Sequence, residues 1–298
     1  ALPKDTPALY SLMNYADIKL GTWYPKKGMY AVVDGMYRLA QELGVKFIFE
    51  QDVTAINVYN NQAKQVVANG TVVYDADVVV GSADYHFVET KLLPENCRTY
   101  SDKYWDKRLM APSCLLYYVG VNKKLEEIPH HSLFFDADFD VHGNEIYTTR
   151  QWPVDPLFYL SVSSVTDETV APAGCDNMVF LIPVAAGLSA DTEELRERYF
   201  EKILARFEKR TGQSINNNII YKKNYSISNF TDDYNSFKGN AYGLANTLMQ
   251  TAVLRPSCRS IKIKNLFYSG QLTVPGPGVP PSLISGEVVA KEVTKHFG

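Results

Sequence analysis

The 298 residues carry 30 Lys and Arg against 33 Asp and Glu, a formal charge of -3, with 46% hydrophobic and 21% charged residues. That is enough apolar side chain for one large or two medium cores and excludes a disordered chain; the intermingled charges leave no basic face for nucleic acid. No apolar run reaches the ~18 residues needed to span a bilayer, and Cys97, Cys114, Cys175 and Cys258 lack the spacing of a zinc site or disulfide scaffold, so no metal and a reducing cytoplasm are expected.

From Tyr30 to Leu43, apolar Val32, Met36, Leu39 and Leu43 recur at helical spacing with Gly44 at the capping position, which predicts a helix. β-Branched and aromatic residues predict strands at Val45–Glu50, Val53–Tyr59, Lys64–Ala68, Thr71–Tyr74 and Asp77–Val80, with Asn60-Asn61 as a turn. Between 97 and 250 the texture changes. Strand candidates at Leu115–Val121, Leu157–Ser163 and Met178–Val184 lie between long irregular connections, as in an antiparallel sheet. One helix is marked by a capping box of Asp191 and Glu194, a stripe of Leu195, Tyr199, Ile203, Leu204 and Phe207, and Gly212 at its end. The tail reads as a strand at Leu266–Ser269, a Gly/Pro turn over 270–281, and a helix to about His296.

That turn carries the chemistry. Gly270, Gly276 and Gly278 remove Cβ atoms where backbone could approach a flat ligand, while Pro275, Pro277, Pro280 and Pro281 stiffen the loop. A helix beginning there presents the N–H groups and positive dipole end of its first turn to whatever occupies the loop. An unliganded Gly/Pro connection would have the same composition.

The stretch Asn265-Leu266-Phe267, Gly270, Thr273, Pro275-Gly276, Gly278, Pro280 and Ser285-Gly286 resembles the C-terminal flavin motif of the phytoene desaturase family of carotenoid desaturases. The resemblance runs upstream in order through Gly21-Thr-Trp-Tyr-Pro25 with Gly28-Met29, Ser82-Ala83-Asp84, His130-His131, Val165-Thr-Asp167 with Ala171-Pro-Ala-Gly-Cys175, Gly239-Asn-Ala241, Gln250 and Arg255-Pro256, and so covers nearly the whole chain. It implies an α/β (α+β) fold: part of a Rossmann-like FAD domain of the amine-oxidase type, and a substrate domain with a mixed or antiparallel sheet and helices. Residues 1–44 would be a substrate-domain segment and connecting helix, 45–96 part of the FAD domain, 97–254 the polyene domain and 255–298 the C-terminal part of the FAD domain.

The same resemblance implies FAD as cofactor, held by Val53, Ala83, Gly270, Thr273, Pro275, Gly276, Gly278, Val279 and Pro280. It further implies a carotenoid polyene such as phytoene as substrate, a quinone or oxygen as electron acceptor, and peripheral attachment to the inner face of a membrane. Catalytic residues are not assigned by it; Asp136, Asp138, Asp140 and Glu145, in the loop after the His pair, are the acids on offer, with Asp140 and Glu145 as weak candidates. Adjacent imidazoles on a strand should point apart, so His130-His131 does not suggest a metal site.

Two departures stand out. The family's Gly-x-Gly-x-x-Gly, which grips the pyrophosphate, is not among these residues. The chain is therefore expected to be a fragment, inactive alone and dependent on its N-terminal half. Lys27 stands where relatives usually have Gly before Gly28, so a positive φ there would be strained. Other readings of the sequence are a flavin oxidoreductase of the amine oxidase or retinol saturase type, and a non-catalytic module that binds apolar lipid.

Overall fold

β-Branched runs become strands only where a neighbour takes their backbone hydrogen bonds. A computed structural model describes all residues 1–298. In chain order it contains α1 (Ser11–Tyr15), α2 (Tyr30–Glu42), β1 (Val53–Tyr59), β2 (Gln62–Ala68), β3 (Val72–Asp75), β4 (Val79–Gly81), α3 (Tyr85–Phe87) and α4 (Asp102–Asp106). β5 (Ser113–Val121), β6 (His131–Phe134), α5 (Phe139–Tyr147), β7 (Phe158–Ser161), β8 (Asp176–Val184) and α6 (Glu193–Thr211) follow. The chain closes with β9 (Ile219–Tyr225), α7 (Ile227–Tyr234), β10 (Leu266–Tyr268) and α8 (Val279–Phe297).

The chain divides into two compact units, Ala1–Pro7 with Ile48–Ser113 and Ser228–Gly298, and Ala8–Phe47 with Cys114–Ile227. Residues 97–113 and 228–254 fall in the same unit as the flavin-motif segments. In the first unit β1-β2-β3 is an antiparallel meander and β4 pairs in parallel with β10, Val79 opposite Leu266. Asn265 stitches the two sheets together. Its Oδ1 accepts from the Ala63 N–H at 2.8 Å, and its Nδ2 donates to the carbonyls of Ala63 and Asp77, each at 2.7 Å. Below them the fully buried Glu89 accepts from the N–H groups of Thr99 and Tyr100 and from Tyr268 Oη, all at 3.0 Å, which satisfies both carboxylate oxygens.

The second unit has a five-stranded sheet in the order β6-β7-β8-β5-β9, with β6/β7, β7/β8 and β5/β9 antiparallel. β8 alternates strictly, turning Met178, Phe180, Ile182 and Val184 to the core beneath Tyr199, Phe200, Ile203, Leu204 and Phe207 of α6. The cap of α6 differs from the expected one. Thr192 Oγ1, not Asp191, accepts from the Leu195 N–H at 3.2 Å, because Asp191 is spent on a bidentate pair with the buried Arg196 at 2.8 Å. Gly212, in the left-handed region at φ 70°, ends the helix.

Val45–Glu50 corrects a sequence expectation. These residues form no strand, for they join no sheet, and β propensity without a paired neighbour does not make one. The loop after the His pair also differs: it contains α5, with Asp138 as N-cap accepting from Asp140 and Val141 N–H at 2.9 and 3.0 Å. Nor do the two imidazoles diverge; the rings of His130 and His131 stack with centroids 4.1 Å apart, since His131 only begins β6.

Candidate functional site

Within the first unit, the turn between β10 and α8 borders a cleft of about 400 Å³. One wall is Ser82-Ala83-Asp84, leaving β4; another is Ser269-Gly270-Gln271, leaving β10; Phe230 and Tyr234 of α7 give an apolar side. Because β4 and β10 run parallel and in register, the two loops leave from the same sheet end, where α/β sheets keep their ligand crevices.

Gly270 has φ 114° and would direct a Cβ into open space, so its bare backbone is what borders the cleft there. Its N–H donates to Ser285 Oγ at 2.7 Å, tying the loop to the first turns of α8. Gly278, at φ 105°, is the N-cap of α8 and has no side chain to cap with. Pro280 and Pro281 have no N–H, and the Ser282 N–H is used on the Gly278 carbonyl at 3.0 Å. Of the expected bouquet of first-turn donors, Val279 N–H is thus the single one in the first three helical residues, backed by the helix dipole with no acid in that turn.

Other residues expected to touch the ligand also have partners within the fold. Thr273 is buried and its hydroxyl donates to the Pro256 carbonyl at 2.7 Å. Gly276 is glycine because a Cβ would lie 3.2 Å from the Arg255 guanidinium; Arg255, buried, donates in turn to Leu244 O at 3.2 Å and Asn246 Oδ1 at 2.6 Å. Pro275 is exposed on the loop and Pro280 in the first turn of α8, and Val53, at the start of β1 opposite Ala68, does not line the cleft. Asp140 and Glu145 belong to the second unit, where Glu145 Oε1 accepts from Val154 N–H at 3.1 Å and Gln151 Nε2 at 3.3 Å.

The structure adds residues the sequence had only inside motifs. Asp84 caps α3, accepting from Phe87 N–H at 3.1 Å, and its second oxygen accepts from Phe237 N–H, also at 3.1 Å. Burial pushes its carboxyl up to about 6 against the pull of these hydrogen bonds. Asn240, buried, accepts from Gly243 N–H at 2.6 Å and Gln271 Nε2 at 3.1 Å, which fixes the Gln271 wall. Paired polar residues next to glycines were the available signal.

The donors present fit part of a flavin. A bare Gly270 backbone, one helix-tip N–H, serine hydroxyls and an aromatic side suit a flat heterocycle with a polyol chain. No Gly-x-Gly-x-x-Gly occurs in the sequence, so a diphosphate would need donors beyond these.

Comparison with known proteins agrees. The family described as flavin containing amine oxidoreductase matches residues 2–294. A carotenoid 3,4-desaturase of Haloarcula japonica is 43% identical over 99% of this chain and 59% of its own length. A phytoene desaturase of Phycomyces blakesleeanus is 30% identical over 99% of this chain and 52% of its own. The zeta-carotene-forming phytoene desaturase of Myxococcus xanthus is 29% identical, with 98% of this chain and 56% of the relative covered. The chain therefore spans just over half the length of these curated relatives. Among solved structures, an oxidoreductase from Methanosarcina mazei superposes with a TM-score of 0.66 at 15% identity, over 95% of this chain and 58% of the other. Putrescine oxidase gives 0.60 at 12% identity, over 91% and 53%. These two likenesses concern the fold.

Proposed function

The chain belongs to the flavin containing amine oxidoreductase family, among whose members it resembles the carotenoid and phytoene desaturases, and from that premise we propose that it supplies the flavin-edge loop and substrate module of an FAD-dependent desaturase acting on a carotenoid polyene. The observation that carries this reading is the turn at 270–279: an open glycine backbone beside a cleft, leading to a helix tip with one N–H.

A bound flavin would supply a two-electron acceptor for the hydride of an allylic C–H, with a proton leaving the neighbouring carbon and the electrons passing on to a quinone or oxygen. The chain's own residues do the rest. Gly270 would admit the heterocycle edge, the Val279 N–H and the α8 dipole at the far end of the turn would favour negative charge on a group brought to the helix tip, and Arg255 packs against Gly276 within the turn. Asp140 and Glu145 are not needed for this part; Glu145 anchors the 151–154 loop. The polyene would come from a lipid phase, although no helix is long and apolar enough to cross a membrane. FAD affinity should depend on residues that supply a phosphate-binding glycine loop, and this chain alone should hold the coenzyme weakly and be inactive.

The test is expression of the whole reading frame that contains this sequence, purification with FAD, and incubation with phytoene in liposomes with a quinone. Lengthening of the conjugated system, read as a red shift of carotenoid absorption, is expected. Bound flavin without that shift would refute the substrate class.

A further inference from the structure

A connected set of oxidisable rings runs inward from the cleft of the first unit. Tyr85 lines the cleft and stacks on Tyr268, with ring centroids 3.7 Å apart and planes at 21°. Behind Tyr85 stand Trp105 at 5.7 Å and Tyr100 at 5.9 Å, and Tyr104 lies 4.3 Å from Tyr100. Packing accounts for rings in contact, but not for the acid set against them. Tyr268 Oη donates at 3.0 Å to Oε1 of Glu89, and both residues are 0% exposed. A Phe would fill the same space without a carboxylate beneath it, and a buried carboxylate is costly to keep.

Phenols and indoles are among the side chains that give up one electron most readily. A phenol does so at moderate potential only when its proton leaves with the electron, and the rings differ in where that proton can go. Of the four buried phenols, Tyr85, Tyr117 and Tyr199 donate to the backbone carbonyls of Ser257, Arg196 and Pro153, which are poor bases. Tyr268 is the one that donates to a carboxylate. Trp105 Nε1 is buried without a hydrogen-bond partner, so the indole can pass a hole on but cannot shed its proton. Tyr104 has the Arg108 guanidinium 4.3 Å from its ring centroid, where added positive charge is disfavoured. Burial first, and the Glu89 carboxylate second, hold the Tyr268 phenol far above its ordinary pKa, so it keeps its proton until an electron is removed. Tyr234, the other phenol on the cleft, is 64% exposed, and a radical there is open to quenching from solution.

We propose that Tyr268 and Glu89 form a redox-active site that draws oxidising equivalents out of the cleft through Tyr85. An oxygen-derived radical in the cleft is reduced by one electron from Tyr85, and an electron from Tyr268 refills Tyr85 across the stack. The Tyr268 O–H bond breaks and its proton goes to Glu89 Oε1. A neutral tyrosyl radical and a protonated Glu89 remain. A thiol at the surface returns the electron, releases its own proton to water and ends as half of a disulfide, while the Glu89 proton goes back to Tyr268 Oη. This goes beyond the proposed function, and neither flavin nor polyene takes part in it.

The experiment is flash oxidation of the full chain with photogenerated tris(bipyridine)ruthenium(III), a cobalt(III) ammine serving as terminal electron acceptor. Samples are frozen milliseconds and seconds after the flash for electron paramagnetic resonance. The parent should show a tyrosyl signal that survives for seconds and narrows when the tyrosines are ring-deuterated. Tyr268→Phe keeps the stacked ring and loses only the hydroxyl; the late signal should fall at least ~10-fold there, while the early signal from exposed tyrosines stays. In Tyr85→Phe the late signal should form more slowly. Tyr159→Phe is the control, for that phenol is hydrogen-bonded to His131 but only half-buried, and its late signal should match the parent's. Light-minus-dark infrared spectra of the parent should show a protonated carboxyl band rising with the tyrosyl band, both absent in Tyr268→Phe. A parent without a late radical, a late signal unchanged in Tyr268→Phe, or one lost in Tyr159→Phe would overturn the proposal. So would a late tyrosyl without the carboxyl band, since Glu89 would then not be the proton acceptor, or an unchanged rate in Tyr85→Phe, since the hole would then bypass the cleft ring.

Discussion

Replacing Asp84 by Asn should change stability in a direction set by pH. The Asp84 carboxyl lies at about 6 in the fold against 3.8 in the open chain, with burial as the main cause. Below 3.8 both states are protonated; between 3.8 and 6 the folded state binds more protons, so this group's contribution falls as pH rises; above 6 the ionised form carries the full penalty. The shift corresponds to about 3 kcal/mol. Asn removes the titration but can accept only one of the two backbone hydrogen bonds from Phe87 and Phe237. The cost of Asp84→Asn should therefore be larger at pH 4 than at pH 7.5, by up to about 3 kcal/mol. Neighbouring His86, lowered to about 4 by burial, titrates in the opposite sense in both proteins and cancels in the difference. Urea unfolding followed by the emission of Trp105, whose ring lies 5.7 Å from Tyr85, measures this locally when Trp23 and Trp152 are replaced by Phe in both proteins. A difference between the two proteins that does not vary with pH would refute the reasoning.

Gly243→Ala should lower the melting temperature by about 4–8 °C, a cost near 2 kcal/mol, because at φ 78° its Cβ would stand 2.7 Å from the Gln271 carbonyl oxygen; an unchanged melt would show that the 240–243 turn is not fixed to the cleft wall. Phe180→Ala, at the centre of the second unit's core, should cost about 3–5 kcal/mol in urea unfolding. His142 donates from Nε2 to Pro183 O at 2.9 Å and accepts from Leu157 N–H at 3.0 Å, and burial lowers its pKa below the usual 6.5. Its folded form stays neutral where the unfolded chain is protonated, so stability should fall as pH drops below 6.5, and an NMR titration of the ring should give a midpoint below that value.

Periodic signals were the legible part of the fold. β8 alternates and the α6 stripe repeats every three or four residues, so both were visible as burial patterns in the sequence. β6 and β9 were not, because β6 is only four residues long with no residue fully buried and β9 is mostly exposed. Val45–Glu50 has the composition of a strand and failed as one, since strand formation depends on a partner that composition does not encode. At the site, Gly270, Gly276 and Gly278 were readable as positions without a Cβ; that Gly276 also lies against the Arg255 guanidinium was not, because no local pattern announces that contact. Asp84 and Asn240 were visible as motif members only; their roles follow from hydrogen bonds to 237, 243 and 271 that no local pattern announces.

A flavin should meet this chain at the glycine turn before α8. Amide NMR shifts of the isotopically labelled protein, titrated with FAD to millimolar concentration, measure where it binds even when binding is weak. Shifts concentrated at Gly270, Gln271, Gly278 and Val279 are expected; shifts confined to other segments, with those four amides still, would contradict the central claim.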